Sequence, residues 1–239
     1  MFLHGFFGDH RVWRRQFELA DEYKVVAWDA PGCGGSTAPP ADWALSDYAR
    51  CLGRFIEALG LERPHLVGNS FGGSLAIQLY DSEPDLVASM VLADTYAGWS
   101  GSFPPEVVNQ RLANSLPDLD LPVDQVVSRW IPGFVTETAP KSVVQELSAI
   151  IEDFDVDGMR TMIRALAYAD LRDTLPRVSV PTLLIWGDAD VRSPLSVAQT
   201  MQSAIPGSTL VVIPGVGHLS HAQAPERFNQ ELRKFLTTA

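Results

Sequence analysis

The run His65-Leu66-Val67-Gly68-Asn69-Ser70-Phe71-Gly72 leads from a short apolar segment into a helical pattern through a serine with glycine two positions away on either side. His65–Val67 reads as a strand, and Leu75, Ile77 and Leu79 continue as a helix. A serine on so sharp a strand-to-helix turn is forced into a strained backbone conformation, which only glycine accommodates at the two flanking positions. The turn exposes the hydroxyl and sets it at the positive end of a helix, where developing negative charge is favoured. The five-residue pattern alone is weak. Its strand–turn–helix context makes Ser70 a candidate nucleophile.

The same alternation extends outward. Val25–Trp28, Val87–Leu92, Thr182–Trp186 and Thr209–Ile213 are short, rich in β-branched and aromatic residues, and closed by Gly, Pro or Asp. Such segments suit strands buried on both faces of a mostly parallel sheet flanked by helices, an α/β architecture. Ser46 is a candidate N-cap for a helix carrying Cys51, Leu52, Phe55, Ile56 and Leu59 and closed by Gly60. The last helix begins near Pro225 and buries Phe228, Leu232, Phe235 and Leu236. From Gly98 to Leu175 helical patterns appear without a strand: Glu106–Leu116, Val123–Trp130, Lys141–Phe154 and Asp157–Ala169. Pro104, Pro105, Pro117, Pro122, Pro132 and Pro140 punctuate them. The expected organisation is a core of residues 1–97 and 176–239 with a helical cap, residues 98–175, inserted over the C-terminal strand ends where ligands bind in such sheets.

A serine hydroxyl needs a base at neutral pH. His218, in Pro214-Gly215-Val216-Gly217-His218, follows the last strand at the edge that holds Ser70. His221 is its rival. A His218/His221 metal pair lacks a third ligand, so no metal is expected. The base needs a carboxylate to fix its tautomer. Asp188 and Asp190 follow the strand ending at Trp186, and Asp94 follows the one ending near Leu92. A carboxylate after Trp186 gives the chain order serine, acid, histidine. An oxyanion hole requires backbone donors aimed at the developing charge. Phe71 N–H supplies one, and the loop His4-Gly5-Phe6-Phe7-Gly8 supplies the other, assigned to Phe6. His4 reads as structural.

Composition narrows the partners. The 239 residues carry a formal net charge of −11, which opposes binding to nucleic acid or an anionic membrane surface. No apolar run approaches the ~18 residues of a membrane span, and no secretory signal opens the sequence, so a cytoplasmic location is the default expectation. Cys33 and Cys51 fit no zinc or redox spacing and are expected as reduced thiols. The glycine cluster Gly32–Gly35 is not followed by Gly-Lys-Ser/Thr, so it is no phosphate loop.

The sequence resembles the α/β-hydrolase superfamily over nearly all its length. His4-Gly5-Phe6-Phe7-Gly8, Asp29-Ala30-Pro31-Gly32-Cys33-Gly34-Gly35-Ser36, Gly68-Asn69-Ser70-Phe71-Gly72-Gly73, Gly187-Asp188-Ala189-Asp190 and Gly217-His218-Leu219-Ser220 stand in that family's order and spacing. Pro214 to Phe228 is similar to the branch of 3-oxoadipate enol-lactonases and small esterases. The resemblance places the acid at Asp190, leaving Asp188 to make the turn. It also implies an N-terminal antiparallel hairpin, but only Met1-Phe2-Leu3 precede His4. Either the first two strands are absent or the chain is cut short. The sheet is then expected to hold about six strands, with Val25–Trp28 as an open edge that invites a homodimer.

The function implied is ester hydrolysis through an acyl-serine, without cofactor. Trp99, Trp130 and Leu219 are the candidate substrate contacts, a small-molecule ester or lactone the expected partner. Enol-lactone or carbon–carbon bond hydrolysis by the same triad is the alternative, and a non-catalytic ligand-binding protein on this fold is the alternative of another class. The cap also carries Phe103, Phe134, Phe154, Met159, Met162, Arg129, Arg160 and Arg164; a carboxylate-bearing lactone would call for an inward arginine among them.

Overall fold

The computed structural model describes residues 1–239. Five parallel strands form one sheet in sequence order: β1 (Phe2–Leu3), β2 (His65–Asn69), β3 (Ser89–Ala93), β4 (Thr182–Gly187) and β5 (Thr209–Ile213). Every residue of β3 and β4 is buried, as is β2 beyond His65. Their near-continuous apolar runs are the signature of a sheet covered on both faces. Because all strands run one way, Leu3, Asn69, Ala93, Gly187 and Ile213 end at one edge, and the loops that follow them gather there.

Helices α1 (Leu45–Ala58), α2 (Phe71–Ser82), α8 (Leu195–Ala204) and α10 (Pro225–Leu236) cross between strands or close the chain, with the single turn α9 (Ser220–Gln223) ahead of α10. In α10 Phe228 and Leu232 are fully buried, and Phe235 and Leu236 pack half-buried against the core. Between β3 and β4 the chain makes only helices: α3 (Trp99–Ser102), α4 (Pro105–Asp118), α5 (Val123–Phe134), α6 (Lys141–Glu152) and α7 (Val156–Tyr168). No helix is long and apolar enough to cross a membrane.

Several local expectations need correction. Val25–Trp28 is not a strand, so the sheet has five strands rather than six. Phe2 N–H donates to the Val26 carbonyl at 2.7 Å and Trp28 N–H to the Phe2 carbonyl at 3.3 Å, and the pairing stops at the Phe2–Ala27 bridge. β1 is only two residues long and offers no further partner. Ser46 lies inside α1 rather than capping it; the Asp47 carboxylate instead accepts from Ala44 N–H at 2.8 Å. Strand β3 starts at Ser89, not Val87, because a tight turn at Pro84–Leu86 takes Val87 N–H. Pro117 and Pro132 do not separate helices but lie in the last turns of α4 and α5, where few backbone bonds remain to be lost.

The stretch His10–Asp21, unassigned in the sequence, forms a long 3₁₀ segment. Trp13, Gln16 and Leu19 recur every third residue, the spacing that keeps one face of a three-residue turn buried. Arg15 of this segment pairs with Glu146 of α6 at 2.6 Å, tying the core to the inserted helices.

Candidate active site

Ser70 is the first residue beyond β2 and the last before α2. It has φ 53° and ψ −117°, a left-handed φ that costs a non-glycine residue energy and persists only where its surroundings enforce it. The enforcement is visible. Ser70 N–H donates to the Ala93 carbonyl at 3.0 Å, and the Thr95 hydroxyl donates to the Ser70 carbonyl. A Cβ on Gly68 would meet the Gly73 nitrogen at 2.5 Å, and one on Gly72 would be driven into the Leu3 carbonyl. Both glycines are therefore steric requirements of the turn.

His218 Nε2 lies 2.9 Å from Ser70 Oγ, and its Nδ1 lies 2.8 Å from Asp190 Oδ2. An ionised carboxylate only accepts, so Nδ1 carries the proton and Nε2 is left to accept from the serine. The other carboxylate oxygen of Asp190 accepts from Arg192 N–H at 2.8 Å and Ser193 N–H at 2.9 Å. All three side chains are buried. The structure thus brings together the three residues singled out in the sequence, from three different loops.

The rival carboxylates stand elsewhere. Asp188 accepts from Gly215 N–H at 2.6 Å, so it braces the neighbouring loop rather than bonding its own turn. Asp94 accepts from Gly187 N–H at 2.9 Å, from Ser220 N–H at 3.1 Å and from the Ser220 hydroxyl at 2.6 Å. It links the segment before Asp190 to the segment after His218 without contacting the imidazole. Burial, reinforced by the charge of Asp190, pushes the Asp94 carboxyl well above the usual range. Asn69 adds a brace, its amide donating to the His218 carbonyl at 3.0 Å.

Phe6 and Phe71 N–H groups have no acceptor within the protein. Their rings lie 6.1 Å apart, and Gly5 approaches Ser70 so closely that a Cβ there would sit 2.9 Å from the serine Cβ. The loop after β1 therefore passes directly beside Ser70. His4 is structural: Nε2 accepts from Ala30 N–H at 3.0 Å, which leaves Nδ1 to donate to the Gly5 carbonyl at 2.8 Å. His221 is excluded as base by its seat, stacked on Trp13 at 4.1 Å in full burial, which lowers its pKa to about 3. Asp9 and His10, at the start of the 3₁₀ segment, form with Asp29 a cluster of metal-ligand type. Arg11 already pairs with Asp9 at 2.7 Å, and Asp29 already accepts from His10. Cys33 and Cys51 are unpaired.

The inserted helices close over this edge. Phe134 of α5 stacks on His218 with ring centres 6.2 Å apart, and Tyr96 lies 6.0 Å from the same imidazole. Trp99 of α3 meets Phe6 edge-on at 5.9 Å, and Trp130 of α5 meets Phe7 at 4.6 Å. Leu219 N–H donates to the Phe134 carbonyl at 3.1 Å. Trp99 and Trp130 thus belong to a packed aromatic wall that reaches His218 through Tyr96 and Phe134, and Leu219 is bonded to that wall. Phe154 belongs to that wall through Phe7, whereas Met159 and Met162 are core.

The cap arginines considered from sequence point away: Arg129 pairs with Asp118, Arg160 with Asp120, and Arg164 is exposed. Two others, passed over in the sequence, flank the wall. The Arg111 guanidinium lies 4.1 Å over Phe103 and 5.4 Å over Trp99, and that of Arg192 lies 4.2 Å over Trp130 and 4.5 Å over Phe134. Gln223 was also missed. Its carbonyl accepts from Thr136 N–H at 3.2 Å and Gly217 N–H at 3.1 Å, and its amide donates to the Thr136 hydroxyl. No periodicity or motif marks either feature.

The chain is 30% identical over 241 residues to a protein of Pseudomonas syringae pv. syringae named "Putative carbamate hydrolase RutD", covering 98% of this chain and 92% of that one. It is 29% identical over 240 residues to the (E)-2-((N-methylformamido)methylene)succinate hydrolase of Acinetobacter baylyi, covering 99% and 89%. Among solved structures, a thermophilic esterase from Thermogutta terrifontis superposes with a TM-score of 0.90 at 29% identity, over 99% of this chain and 88% of that one. The model of the alpha/beta hydrolase family matches residues 1–231, and the chain belongs to that family.

Proposed function

We propose that this hydrolase cleaves carboxylic esters through an acyl-enzyme on Ser70, with His218 as base, Asp190 as acid, and Phe6 and Phe71 N–H as oxyanion donors. The observation that carries the reading is the unbroken hydrogen-bonded series Ser70–His218–Asp190, anchored at both ends by backbone. Ser70 Oγ attacks the carbonyl carbon while Nε2 of His218 takes its proton. The carbonyl electrons move onto oxygen, where the two backbone donors meet the charge. Collapse expels the alcohol, which receives the proton from His218. Water then repeats the sequence on the acyl-Ser70, releasing the acid and restoring the serine. Asp190 holds the tautomer and stabilises the imidazolium.

The helices between β3 and β4 act as a cap in this reading. Ser70 is only 4% exposed, and the aromatic side chains beside His218 lie over it in this reading. Substrate therefore enters by displacement of cap side chains, with Trp99, Trp130 and Leu219 among those that meet it. Acyl-chain preference set by such a wall is shallow, about 1–3 kcal/mol per methylene.

Conversion of Ser70 to alanine tests the proposal. The variant should keep the folded circular-dichroism spectrum and lose both p-nitrophenyl ester hydrolysis and labelling by a fluorophosphonate probe. Full labelling of the alanine variant sinks the assignment of the nucleophile. A panel that adds O-aryl carbamates and lactones to the esters decides the bond: faster turnover of carbamates than of matched esters would move the reading toward the activity named for the Pseudomonas relative.

A further inference from the structure

We propose that Arg111 and Arg192 form a subsite for a carboxylate carried by the substrate. The inference rests on the serine-hydrolase reading and adds the chemical class of molecule that the site takes. Neither arginine has a carboxylate within ion-pair distance, although the chain carries 29 acidic residues against 18 basic ones. Arg111 Nη2 donates to the Arg192 backbone carbonyl at 2.7 Å and its charge is felt at the Arg192 guanidinium, while Asp190 and Asp118 act on Arg192 only from beyond ion-pair distance. Adjacent like charges without a counter-ion destabilise a fold. An arrangement of this kind is explained when a ligand supplies the missing anion.

The neighbouring donors tell the same story. Arg192 Nε, Trp99 Nε1 and Trp130 Nε1 are all shut off from solvent without an acceptor. Each is an N–H that can only donate, and a buried donor left unpaired is costly. Trp99 lies beneath Arg111 and Trp130 beneath Arg192. The site is therefore rich in donors and poor in acceptors, the complement of a carboxylate. Planar guanidinium groups bind that group in a two-pronged fashion.

The pair also stands at a useful place relative to the chemistry. Arg111 lies over Tyr96 at 5.8 Å and Arg192 over Phe134 at 4.5 Å, and those two rings are the ones that flank His218. The Arg192 backbone N–H holds the triad acid. A carboxylate seated between the guanidinium groups would thus anchor a substrate whose ester reaches Ser70 past the aromatic wall. Packing on Trp130 and Phe134 keeps Arg192 in place before binding, so little side-chain freedom is lost on capture.

The test compares 4-nitrophenyl hemisuccinate with 4-nitrophenyl valerate, a neutral ester of similar length, in the wild type, Arg111→Met and Arg192→Met. The ratio of kcat/KM for the anionic over the neutral ester should exceed one in the wild type. It should fall at least about tenfold in each variant, equivalent to about 1.4 kcal/mol. Calorimetric titration of succinate into Ser70→Ala gives a readout without turnover. Binding should be present there and lost when Arg111→Met or Arg192→Met is added, with Arg192→Lys retaining part of it. Succinate binding that requires the arginines, in a protein that hydrolyses no ester, would keep the subsite and reject the hydrolase reading. Hydrolysis of both esters with a ratio that neither substitution moves would reject the subsite and keep the hydrolase.

Discussion

Replacing Asp190 by asparagine probes the least redundant element of the proposed triad. The carboxylate has two tasks in the structure. Oδ1 accepts from Arg192 and Ser193 N–H at 2.8 and 2.9 Å, and Oδ2 faces His218 Nδ1 at 2.8 Å. An asparagine satisfies the two backbone donors only with its carbonyl oxygen toward them. Its amide nitrogen then faces Nδ1, and a donor there selects the tautomer protonated on Nε2. That tautomer cannot accept the Ser70 proton. The shape of the loop is preserved while the direction of proton flow is reversed, so the loss falls on kcat. The expected scale is up to ~10⁴, about 5.4 kcal/mol of transition-state stabilisation.

The assay is steady-state hydrolysis of p-nitrophenyl acetate, with the melting temperature measured in parallel. Asp94→Asn is the control. Asp94 accepts three hydrogen bonds from Gly187 and Ser220 without touching His218. Its amide should cost about 1–3 kcal/mol of stability by facing at least one buried N–H with another donor, and should leave turnover of the folded fraction within about tenfold. Retention of most activity by Asp190→Asn, with a folded but inactive Asp94→Asn, would place the acid on the wrong strand and refute the reasoning.

Three further perturbations have defined outcomes. Gly72→Ala would press a Cβ into the Leu3 carbonyl and should lower stability by roughly 1–3 kcal/mol or more, read as a shift in the urea midpoint. His221→Phe tests acid sensitivity: the folded pKa of about 3 lies below the ordinary 6.5, so the unfolded state binds more protons in that window and stability rises with pH between the two values. The phenylalanine variant should lose that contribution, up to about 1.4 kcal/mol per pH unit, and an unchanged slope of melting temperature against pH would contradict it. Gln223→Ala removes the acceptor shared by Thr136 and Gly217 N–H, so hydrogen exchange at those two amides should accelerate together while amides in β3 and β4 stay protected.

The sheet and the juxtaposition of Ser70, His218 and Asp190 were legible because both rest on local signals. β3 and β4 are apolar runs bounded by turn residues, and Ser70, Asp190 and His218 each follow a strand within a glycine-bearing loop. Val25–Trp28 misled because strand propensity is satisfied only if a partner is long enough, and β1 offers two residues. The 3₁₀ segment escaped because its three-residue burial rhythm sits between the strand and helix periods. Arg111 and Arg192 were invisible for another reason. They stand 81 positions apart, and nothing in their local composition differs from that of Arg129 or Arg160, which turn outward to Asp118 and Asp120. A long side chain's direction is set by which tertiary partner it meets.

The same long-range contacts join the position of the cap to that of the proposed base. Phe134 contributes its ring to one face of His218 and its carbonyl to Leu219 N–H, and Gln223 fastens Thr136 to Gly217. The residues on either side of the imidazole are thus bonded to the end of α5. On the core side, Asn69 holds the His218 carbonyl and Asp94 holds Ser220. A displacement of α5 such as the proposed substrate entry calls for would strip hydrogen bonds from one side of this loop only. The core braces then decide whether His218 stays within reach of Ser70. Both braces come from residues at strand ends, Asn69 in β2 and Asp94 just after β3, and these are among the most deeply buried backbone in the molecule. In the proposed mechanism, a His218 held from the sheet and covered by the helices between β3 and β4 keeps its geometry while those helices move, which hydrolysis at a nearly inaccessible Ser70 would require.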